Sequence, residues 1–332
     1  MGGLSMENKS FEYQYCAALK DIVQDFNCTY QKNRTGIDTM VQQSVHFRMY
    51  DITNNFPILR GKKVYPLMAL KELLWMLTGR TDVQWLRDRK VTYWDEWEQA
   101  DGTIGKSYGY QFRNFNGIDN LNNLYIEMLE NPLSRRHILN IWNVNNLNEM
   151  ALPPCMYDYN FNCLQDNENN DEWDNGCKID FYKVNLHAHI RSNDAFLGAP
   201  YDFMFCAWFN FITCMYLNWC VSHEPEFDNI KFYSGDVYYT ADNFHLYTNH
   251  INQAKEYIHN VEENKFHIID VPTYIQTENK EDLGPENYIS YKDPENLNNF
   301  LTWIENYILK DKKITVSNKL REYGPIKADI AV

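Results

Sequence analysis

The residues from 203 to 221, FMFCAWFNFITCMYLNWCV, contain no charged side chain and form a run long enough to cross a lipid bilayer. Three polar residues, Asn210, Thr213 and Asn218, interrupt the run, and no cluster of basic residues flanks it. Nothing else in the chain is typical of a membrane protein. We therefore predict that this run is a central helix, buried on all sides in a globular core.

The composition of the whole chain agrees with a large buried core. Of its 332 residues, 44% are hydrophobic and 15% are aromatic. The 31 Lys and Arg residues against 45 Asp and Glu residues give a net charge of −14. This charge argues against DNA or RNA as the ligand, because binding such a polymer normally needs a basic face. It does not exclude a single phosphate group held by a few local arginines.

The eight cysteines are scattered along the chain and form no CxxC pair. Their distribution predicts a reducing cytoplasmic compartment, and it indicates neither a disulfide framework nor a bound metal. The N-terminal MGGLSMENKS also lacks the apolar segment of a signal peptide.

Hydrophobic periodicity predicts an α/β chain that begins with helices. Residues 9–28 carry apolar side chains at helical spacing. A second helix is predicted at 65–79, with Pro66 in its first turn and Gly79 at its end. The segment NLNNLYIEMLENP, at 120–132, is predicted to be a third helix.

Strand patterns follow in the middle of the chain. RHILNIW at 136–142 and KVNLHAHIR at 183–191 are typical of strands, and the second has apolar residues at every other position. The polar, acidic stretch at 164–178 is predicted to be a long hairpin tip inserted between strands. The tail from 260 is predicted to alternate short strands with one helix near 295–309. Since no repeat or linker divides the chain, we predict a single domain.

A cysteine behind two prolines is the first candidate for chemistry. In MALPPCMYDYNF the prolines fix the backbone before Cys155, and an aromatic-rich strand follows. Rigid presentation of a thiol suits a nucleophile, whose thiolate then needs a positive neighbour. From this stretch alone, a packed cysteine at the start of a strand is the simpler interpretation.

A series of motifs resembles the thymidylate synthase family. The motifs occur in the family's order over nearly the whole chain, and the stretches at 164–178 and 260–290 are the parts least covered. They are RTG (34–36), KELLWMLTGRTDVQWL (71–86), VTYWDEW (91–97), YGYQFR (108–113), SRRHILNIWNVNNLNEMALPPC (134–155), RSNDAFLGAPYDF (191–203), FHLYTNHINQ (244–253) and the closing GPIKADIAV (324–332).

The resemblance implies a fold and a reaction. The implied fold is α/β (α+β), with a large mixed β-sheet packed with helices around a central buried helix and one sheet face forming a homodimer interface. The implied reaction transfers a one-carbon unit from the co-substrate 5,10-methylenetetrahydrofolate to C5 of a deoxypyrimidine monophosphate, without a metal.

The resemblance also implies a catalytic set. Cys155 matches the nucleophile that adds to C6 of the pyrimidine, and Arg191 matches an arginine that contacts both this thiol and the phosphate. Glu72 matches the general acid/base that acts through water, although in KELLW it has the pattern of an ordinary exposed helix residue. Tyr108 matches a tyrosine near the nucleophile.

Further matches imply a nucleotide site that two subunits share. Arg34 and Ser192 match phosphate ligands of the same subunit, and Arg135 and Arg136 match a pair that reaches the phosphate in the neighbouring subunit. Guanidinium groups suit a phosphate dianion. Without the motifs, each arginine would be interpreted as a surface charge.

The sugar and folate contacts are implied in the same way. His245 and Tyr247 match residues that bind the 3′-hydroxyl, and Asp242 and Asn243 before them resemble a one-residue insertion. The residues that match folate-side positions are Trp94, Trp97, Asp194, Gly198, Lys62 and the C-terminal Val332.

Three departures from the family pattern cluster where the base would bind. The family's synthases have asparagine at the position of Asp202, histidine at Met156 and glutamine at Asn160. Uracil presents an N3–H donor and an O4 acceptor, which a carboxamide satisfies, whereas cytosine presents an N3 acceptor and an N4 amino donor. A carboxylate accepts from that amino group and leaves O4 of uracil without a donor, so Asp202 predicts cytosine as the base. An aspartate that caps the helix after Pro200 is the structural alternative.

Phage deoxycytidylate hydroxymethylases of this family carry aspartate at this position, and the chain resembles them most. We therefore predict that dCMP is hydroxymethylated, with water capturing the methylene intermediate. The alternatives are a thymidylate synthase or uridylate hydroxymethylase acting on dUMP, and a dCMP methylase that keeps the hydride step. From another class, an inactive dimer that binds nucleotide or RNA is disfavoured by the presence of Cys155, Glu72 and Arg191.

Overall fold

A seven-stranded mixed sheet forms the centre of the protein. The computed structural model describes residues 11–24, 29–166, 173–174, 177–263, 274–277, 284–310 and 314–317. The strands of the sheet are β1 (Thr29–Gln31), β2 (Thr39–Met49), β3 (Ile138–Asn140), β4 (Met156–Gln165), β7 (Asp180–Ile190), β8 (Asn193–Asp194) and β9 (Ile230–Tyr247), and two separate pairs join β5 (Trp173–Asp174) to β6 (Cys177–Lys178) and β10 (Tyr274–Thr277) to β11 (Ile314–Ser317).

The strand order in the sheet is β1-β2-β9-β7-β4-β3, with β8 also beside β9. β7 and β8 run parallel to β9, and the other neighbours are antiparallel. The described helices are α1 (Phe11–Gln24), α2 (Pro66–Leu77), α3 (Val83–Asp88), α4 (Gly109–Arg113), α5 (Asn120–Glu130), α6 (Gly198–Val221), α7 (Ile251–Glu263) and α8 (Pro294–Ile304), which continues into a π-helical turn at Glu305–Lys310.

The uncharged run lies in α6, at the centre of the core. Among the described residues, α6 is the one helix long and apolar enough to cross a membrane, but 83% of its most apolar stretch is buried inside the protein. Its polar residues bond to the surrounding elements: Asn210 donates to the carbonyl of Val184 on β7 at 2.9 Å, and Asn218 donates to the carbonyl of Phe232 on β9 at 2.7 Å. α6 therefore has the packing of a core helix, as predicted.

The predicted elements are found at the expected places in the described residues. α1, α2 and α5 occupy the three predicted helices, with Pro66 in the first turn of α2 and Gly79 at φ +76° just after it. The strands predicted at 136–142 and 183–191 are β3, which is shorter than expected, and β7, and the aromatic-rich strand predicted after Cys155 is β4. The described part of 164–178 connects the antiparallel strands β4 and β7, and α8 is the predicted helix of the tail.

The ends of neighbouring strands bring the candidate site together. β4 begins one residue after Cys155, and β7 ends one residue before Arg191. Because β4 and β7 are antiparallel neighbours, the N–H of Arg191 donates to the carbonyl of Cys155 at 2.9 Å. β9 ends beside them and carries His245 and Tyr247. α6 starts at the same end of the sheet.

Candidate active site

A cavity of about 710 Å³ lies at this end of the sheet. The loop before β2, helix α2, the aromatic residues Tyr93, Trp94 and Trp97, and the start of α6 complete its wall. The residues that the sequence predicted for the site and that line this cavity are Arg34, Glu72, Trp94, Trp97, Tyr108, Cys155, Arg191, Ser192, Asp194, Gly198, Asp202, His245 and Tyr247.

Both backbone polar groups of Cys155 are hydrogen-bonded, and one guanidinium group lies beside its sulfur. Its N–H donates to the hydroxyl of Tyr108 at 2.8 Å. Arg191 donates to the carbonyls of Pro153 and Pro154, each at 2.9 Å, and its Nη2 lies 3.7 Å from Sγ of Cys155. The two prolines therefore position the arginine as well as the thiol.

The pKa of the Cys155 thiol is raised because burial disfavours the thiolate, and the carboxyl of Asp202 adds to this effect. The charges of Arg191 and Arg34 and the hydrogen bond with Tyr108 act in the opposite direction. The predicted positive neighbour is present, but its charge offsets only part of the cost of burying the thiolate. A substrate that accepts the electron pair of the sulfur removes the need for a stable free thiolate.

Glu72 is a buried carboxyl rather than the exposed helix residue that its sequence suggests. It lies on α2 at 9% relative exposure, and it accepts from the Tyr93 hydroxyl at 2.8 Å and from the indole N–H of Trp94 at 2.6 Å. Burial raises its pKa to about 6, while the two donors lower it. Near neutral pH this group can therefore both accept and return a proton.

Tyr108 has a strained backbone, with φ +34° and ψ −98°, just before α4. Such a conformation is rare for a residue other than glycine and requires support from its surroundings. Gly109 follows, and a Cβ at that position would lie 2.2 Å from the carbonyl oxygen of Arg80. This tight turn directs the Tyr108 hydroxyl to the backbone of the nucleophile.

Asp202 faces the cavity and does not cap the helix. Leu197 occupies the N-cap position of α6, and Asp202 lies in the second turn. Its Oδ2 accepts from the side-chain amide of Asn193 at 2.6 Å and lies 3.3 Å from the Tyr239 hydroxyl. Burial, together with repulsion by Glu72, raises its pKa to about 7. The capping alternative is therefore wrong for this residue.

A different acid, Asp194, stabilises the turn that precedes α6. Its Oδ1 accepts from the backbone N–H groups of Phe196 at 2.9 Å and Leu197 at 3.1 Å, which form the turn that leads into α6. His245 lies nearby with Nδ1 at 2.9 Å from Oδ1 of Asn243. Burial lowers the pKa of His245, although Asp194 opposes the shift.

An aromatic wall closes the side of the cavity opposite the strands. The Trp94 ring packs edge-on against the rings of Trp97 and Tyr108, with centroids 5.7 and 5.2 Å away. Because the indole N–H of Trp94 donates to Glu72, this wall also fixes the carboxyl. Flat apolar walls of this kind suit a planar heterocycle.

Four predicted site residues lie away from the cavity. Arg135 and Arg136 are exposed outside it, which is where a contribution to a neighbouring subunit would have to start. Lys62 is buried, its Nζ donates to the carbonyl of Phe196, and burial lowers its pKa to about 7. Asn160 also does not line the cavity. Val332 lies outside the described residues.

A β-bulge explains why Asn160 is on the other face of the sheet. Met156 and Asp158 on β4 pair with the consecutive residues Ile190 and His189 on β7, so one extra residue is accommodated in β4. Simple alternation from Met156 would put residue 160 on the cavity side. The bulge reverses this, and Tyr159 lines the cavity instead.

Three residues that hold the two carboxyls were not predicted from the sequence. Tyr93 donates to Glu72, and Asn193 and Tyr239 contact Asp202. Asn193 stands within the quoted RSND motif, but a single sequence gives no signal that its partner is nine residues further on. Tyr239 lies in a strand that the sequence analysis did not predict.

A thiol beside a guanidinium group, with two buried carboxyls lining the same cavity, is typical of enzymes that work by covalent nucleophilic catalysis. The family model described as thymidylate synthase matches residues 13–296, which is most of the chain. The chain belongs to the thymidylate synthase family. Its members transfer a one-carbon unit from methylenetetrahydrofolate to a pyrimidine nucleotide, so this protein is a transferase of nucleotide and folate metabolism.

The raised pKa of Asp202 predicts that the stability of the folded protein depends on pH. In the native protein Asp202 keeps its proton up to about pH 7, because burial raises its pKa from the ordinary 3.8. The unfolded chain releases the proton near pH 4, so wild-type stability falls as pH rises between these values and then levels off. Asp202→Asn should therefore raise the Tm at pH 8 by about 3 °C or more, and by less at pH 5.

Thermal unfolding at the two pH values measures this difference. Asp228→Asn, at an exposed carboxyl, is the matched control and should change the Tm little at either pH. Equal gains at pH 5 and pH 8 for Asp202→Asn would mean that the native carboxyl does not hold its proton in this range.

Proposed function

We propose that this protein is a deoxycytidylate 5-hydroxymethylase, which converts dCMP, 5,10-methylenetetrahydrofolate and water into 5-hydroxymethyl-dCMP and tetrahydrofolate. The observation that carries the proposal is the carboxyl of Asp202, which faces the same cavity as Cys155 and is anchored through Oδ2 only. Family membership supplies the one-carbon transfer. Asp202 determines which base, cytosine or uracil, is preferred.

The cytosine edge fits an anchored acid better than the uracil edge. The N4 amino group donates to a carboxyl oxygen, and N3 accepts a proton. An acid with a pKa of about 7 can share one proton with N3, so both positions of the edge are paired. Against uracil the carboxylate oxygen would face O4, and an unpaired buried polar group costs about 1–3 kcal/mol. Met156 supports this reading, since its thioether gives O4 no strong donor.

In the proposed mechanism the sulfur of Cys155 adds to C6 and makes C5 nucleophilic. C5 attacks the methylene carbon of the folate, and Glu72 accepts the C5 proton through water. Departure of tetrahydrofolate leaves a methylene group on C5. Water then adds its oxygen to this carbon, a proton leaves the water, and the S–C6 bond breaks as the double bond of the ring is restored. No oxidant or hydride takes part, so the folate keeps its oxidation state.

The phosphate and sugar contacts in this proposal follow the resemblance. Arg34, Arg191 and Ser192 bind the phosphate from the same subunit, and His245 and Tyr247 bind the 3′-hydroxyl. Arg135 and Arg136 bind the phosphate in the partner subunit of a homodimer. Their position outside the cavity of their own chain supports this division.

The sheet face away from α6 is the proposed dimer interface. Its side chains are half-buried aromatic and charged groups: the His187 ring stacks on Tyr238 with centroids 4.4 Å apart, and the guanidinium of Arg48 lies 4.8 Å from the same Tyr238 ring. Aromatic residues and arginine are the types enriched at protein interfaces. This composition supports association through the sheet.

The folate is proposed to stack against the wall formed by Trp94 and Trp97. Asp194 offers one oxygen to the pterin N–H groups, because only its Oδ1 is used by the backbone of the helix start. Gly198 leaves room beside this acid, and Val332 is assigned to the folate by the resemblance alone. Lys62 would have to leave its buried contact with Phe196 before it could bind the folate tail.

A competition experiment tests the choice of base. With equal dCMP and dUMP, methylenetetrahydrofolate and buffer, mass analysis should find hydroxymethylated dCMP in at least about tenfold excess over any dUMP product, because one unpaired polar group costs about 1–3 kcal/mol. A mixture dominated by a dUMP product would overturn the cytosine assignment. Methylated dCMP would support the cytosine assignment, but it would show that hydride and not water completes the transfer.

A further inference from the structure

Asp202 is the last of three side chains that are linked by buried hydrogen bonds; we call them the positioning chain. Tyr239, on β9, is fully buried, and its hydroxyl lies 2.9 Å from Oδ1 of Asn193. Asn193, on β8, is 4% exposed, and its amide nitrogen donates to Oδ2 of Asp202 at 2.6 Å. These contacts link the middle of the sheet to the carboxyl in the cavity.

The hydrogen bonds that link these three side chains run from Tyr239 to Asn193 and from Asn193 to Asp202. The Tyr239 hydroxyl carries one proton and has two acceptors in reach, Asn193 at 2.9 Å and Asp202 at 3.3 Å. The shorter contact takes the proton, so the amide oxygen of Asn193 is turned to Tyr239. The amide nitrogen is then turned to Asp202, which leaves an N–H donor on the inner side of residue 202.

Within the positioning chain, only one oxygen of Asp202 has hydrogen-bond contacts. Oδ2 receives the contacts from Asn193 and Tyr239, and among the described residues Oδ1 has no hydrogen-bond partner. Since Asp202 lines the cavity, Oδ1 is the oxygen that is available to accept from the N4 amino group of a base. The inner donor therefore decides which atom of residue 202 the ligand meets.

We propose that Asn193 and Tyr239 are positioning residues for pyrimidine selection: their hydrogen-bond direction, and not residue 202 alone, sets whether an acceptor or a donor faces the base. This inference rests on the proposed function, because it assumes that residue 202 contacts the base. It adds that three residues select the base together, because the hydrogen-bond donor of each one must face an acceptor of the next.

The same chain predicts what an amide at position 202 would do. The inner N–H of Asn193 needs an acceptor, so it holds the amide oxygen of an asparagine inward and turns the NH2 group to the base. That orientation offers a donor to O4 of uracil. If residue 193 is an acceptor instead, the amide turns over and presents its oxygen, which accepts from N4 of cytosine.

The test is a polarity swap, Asn193→Asp combined with Asp202→Asn, measured as the ratio of kcat/KM for dCMP to kcat/KM for dUMP. Asp202→Asn alone should lower this ratio by about tenfold to a hundredfold. The double variant should recover at least about tenfold of that loss, since an inner acceptor turns the amide oxygen to the base. The two variants have the same amide at position 202, so a structural role of residue 193 predicts no recovery.

Tyr239→Phe is the second variant, and it keeps the ring that packs on Phe47 and Phe203. It should lower the ratio about three- to tenfold in the wild-type background. It should also move the pH profile for dCMP upward, because the Asn193 amide loses the partner that keeps its N–H turned to Asp202. Tyr125→Phe loses a similar buried bond, 3.1 Å to Thr213 on α6, and as the control should change neither.

The outcomes separate this inference from the proposed function. If Asp202→Asn changes the ratio but the swap does not restore it and Tyr239→Phe has no effect, the positioning chain is wrong and the base-reading role of Asp202 stands. If Asp202→Asn leaves the ratio unchanged, the proposed function itself loses its support. If the double variant does not fold, Tyr239→Phe with its pH profile decides alone.

Discussion

Cys155→Ser should reduce turnover of dCMP by at least about a thousandfold, because an alcohol at neutral pH cannot replace the sulfur that must add to C6. The affinity for dCMP should change by less than about threefold, since the bonds to phosphate and sugar do not involve the thiol. The backbone of the variant should stay in place, because Tyr108 and Arg191 bond to main-chain atoms of residues 153–155. Steady-state kinetics and calorimetric binding of dCMP measure the two quantities.

Cys16→Ser provides the control for this prediction. Cys16 is a buried thiol of α1 outside the cavity, so the same atom is exchanged without touching the chemistry. This variant should lose stability but keep turnover within about threefold of wild type. Substantial activity in Cys155→Ser would exclude Cys155 as the nucleophile. Equal loss in both variants would point to a folding defect.

Asp202→Asn should shift the preference from dCMP towards dUMP by about tenfold to a hundredfold, the equivalent of one good hydrogen-bond pair. The amide presents a donor to O4 of uracil and has no proton to share with N3 of cytosine. The effect should appear in kcat/KM measured separately for each nucleotide, with saturating methylenetetrahydrofolate. Because the variant also removes a costly buried acid, a loss of dCMP turnover should accompany a gain in stability at pH 8.

Asp95→Asn is the matched control for the base preference. Asp95 follows Trp94, does not line the cavity and pairs with Arg87 at 3.2 Å. Its substitution should leave the ratio of the two nucleotides within about twofold of wild type. An unchanged ratio in Asp202→Asn would show that this carboxyl does not read the base.

Elements that depend on local pattern could be predicted from the sequence. α2 has the proline and glycine that mark its ends, and α6 is too apolar to lie anywhere but in the core. β9 was missed, although it is the longest described strand. Its middle carries the buried acid Asp236. This burial is tolerated because Arg48 and Lys183 pair with Asp236 at 2.6 and 3.3 Å. Those partners come from other strands, so local pattern could not show that an acid was acceptable there.

The site was predictable to the extent that its residues stand in motifs. The motifs supplied Cys155, Arg191 and Glu72, but not the burial of Glu72, which results from Tyr93 and Trp94 closing over it. They also could not show the bulge that moves Asn160 to the other face. Both features depend on contacts between segments that are distant in sequence or on pairing between strands. The hydrogen-bond partners of the two carboxyls therefore became visible only in the folded chain.

Water labelled with heavy oxygen distinguishes capture by water from capture by hydride when both products of one reaction are followed. For a deoxycytidylate hydroxymethylase we expect no rise in dihydrofolate absorbance, while mass analysis finds dCMP with one added CH2OH group that carries the heavy oxygen. This result requires water, not hydride, to complete the transfer to cytosine. Dihydrofolate formed in step with a methylated base would exclude hydroxymethylation, even if that base were cytosine.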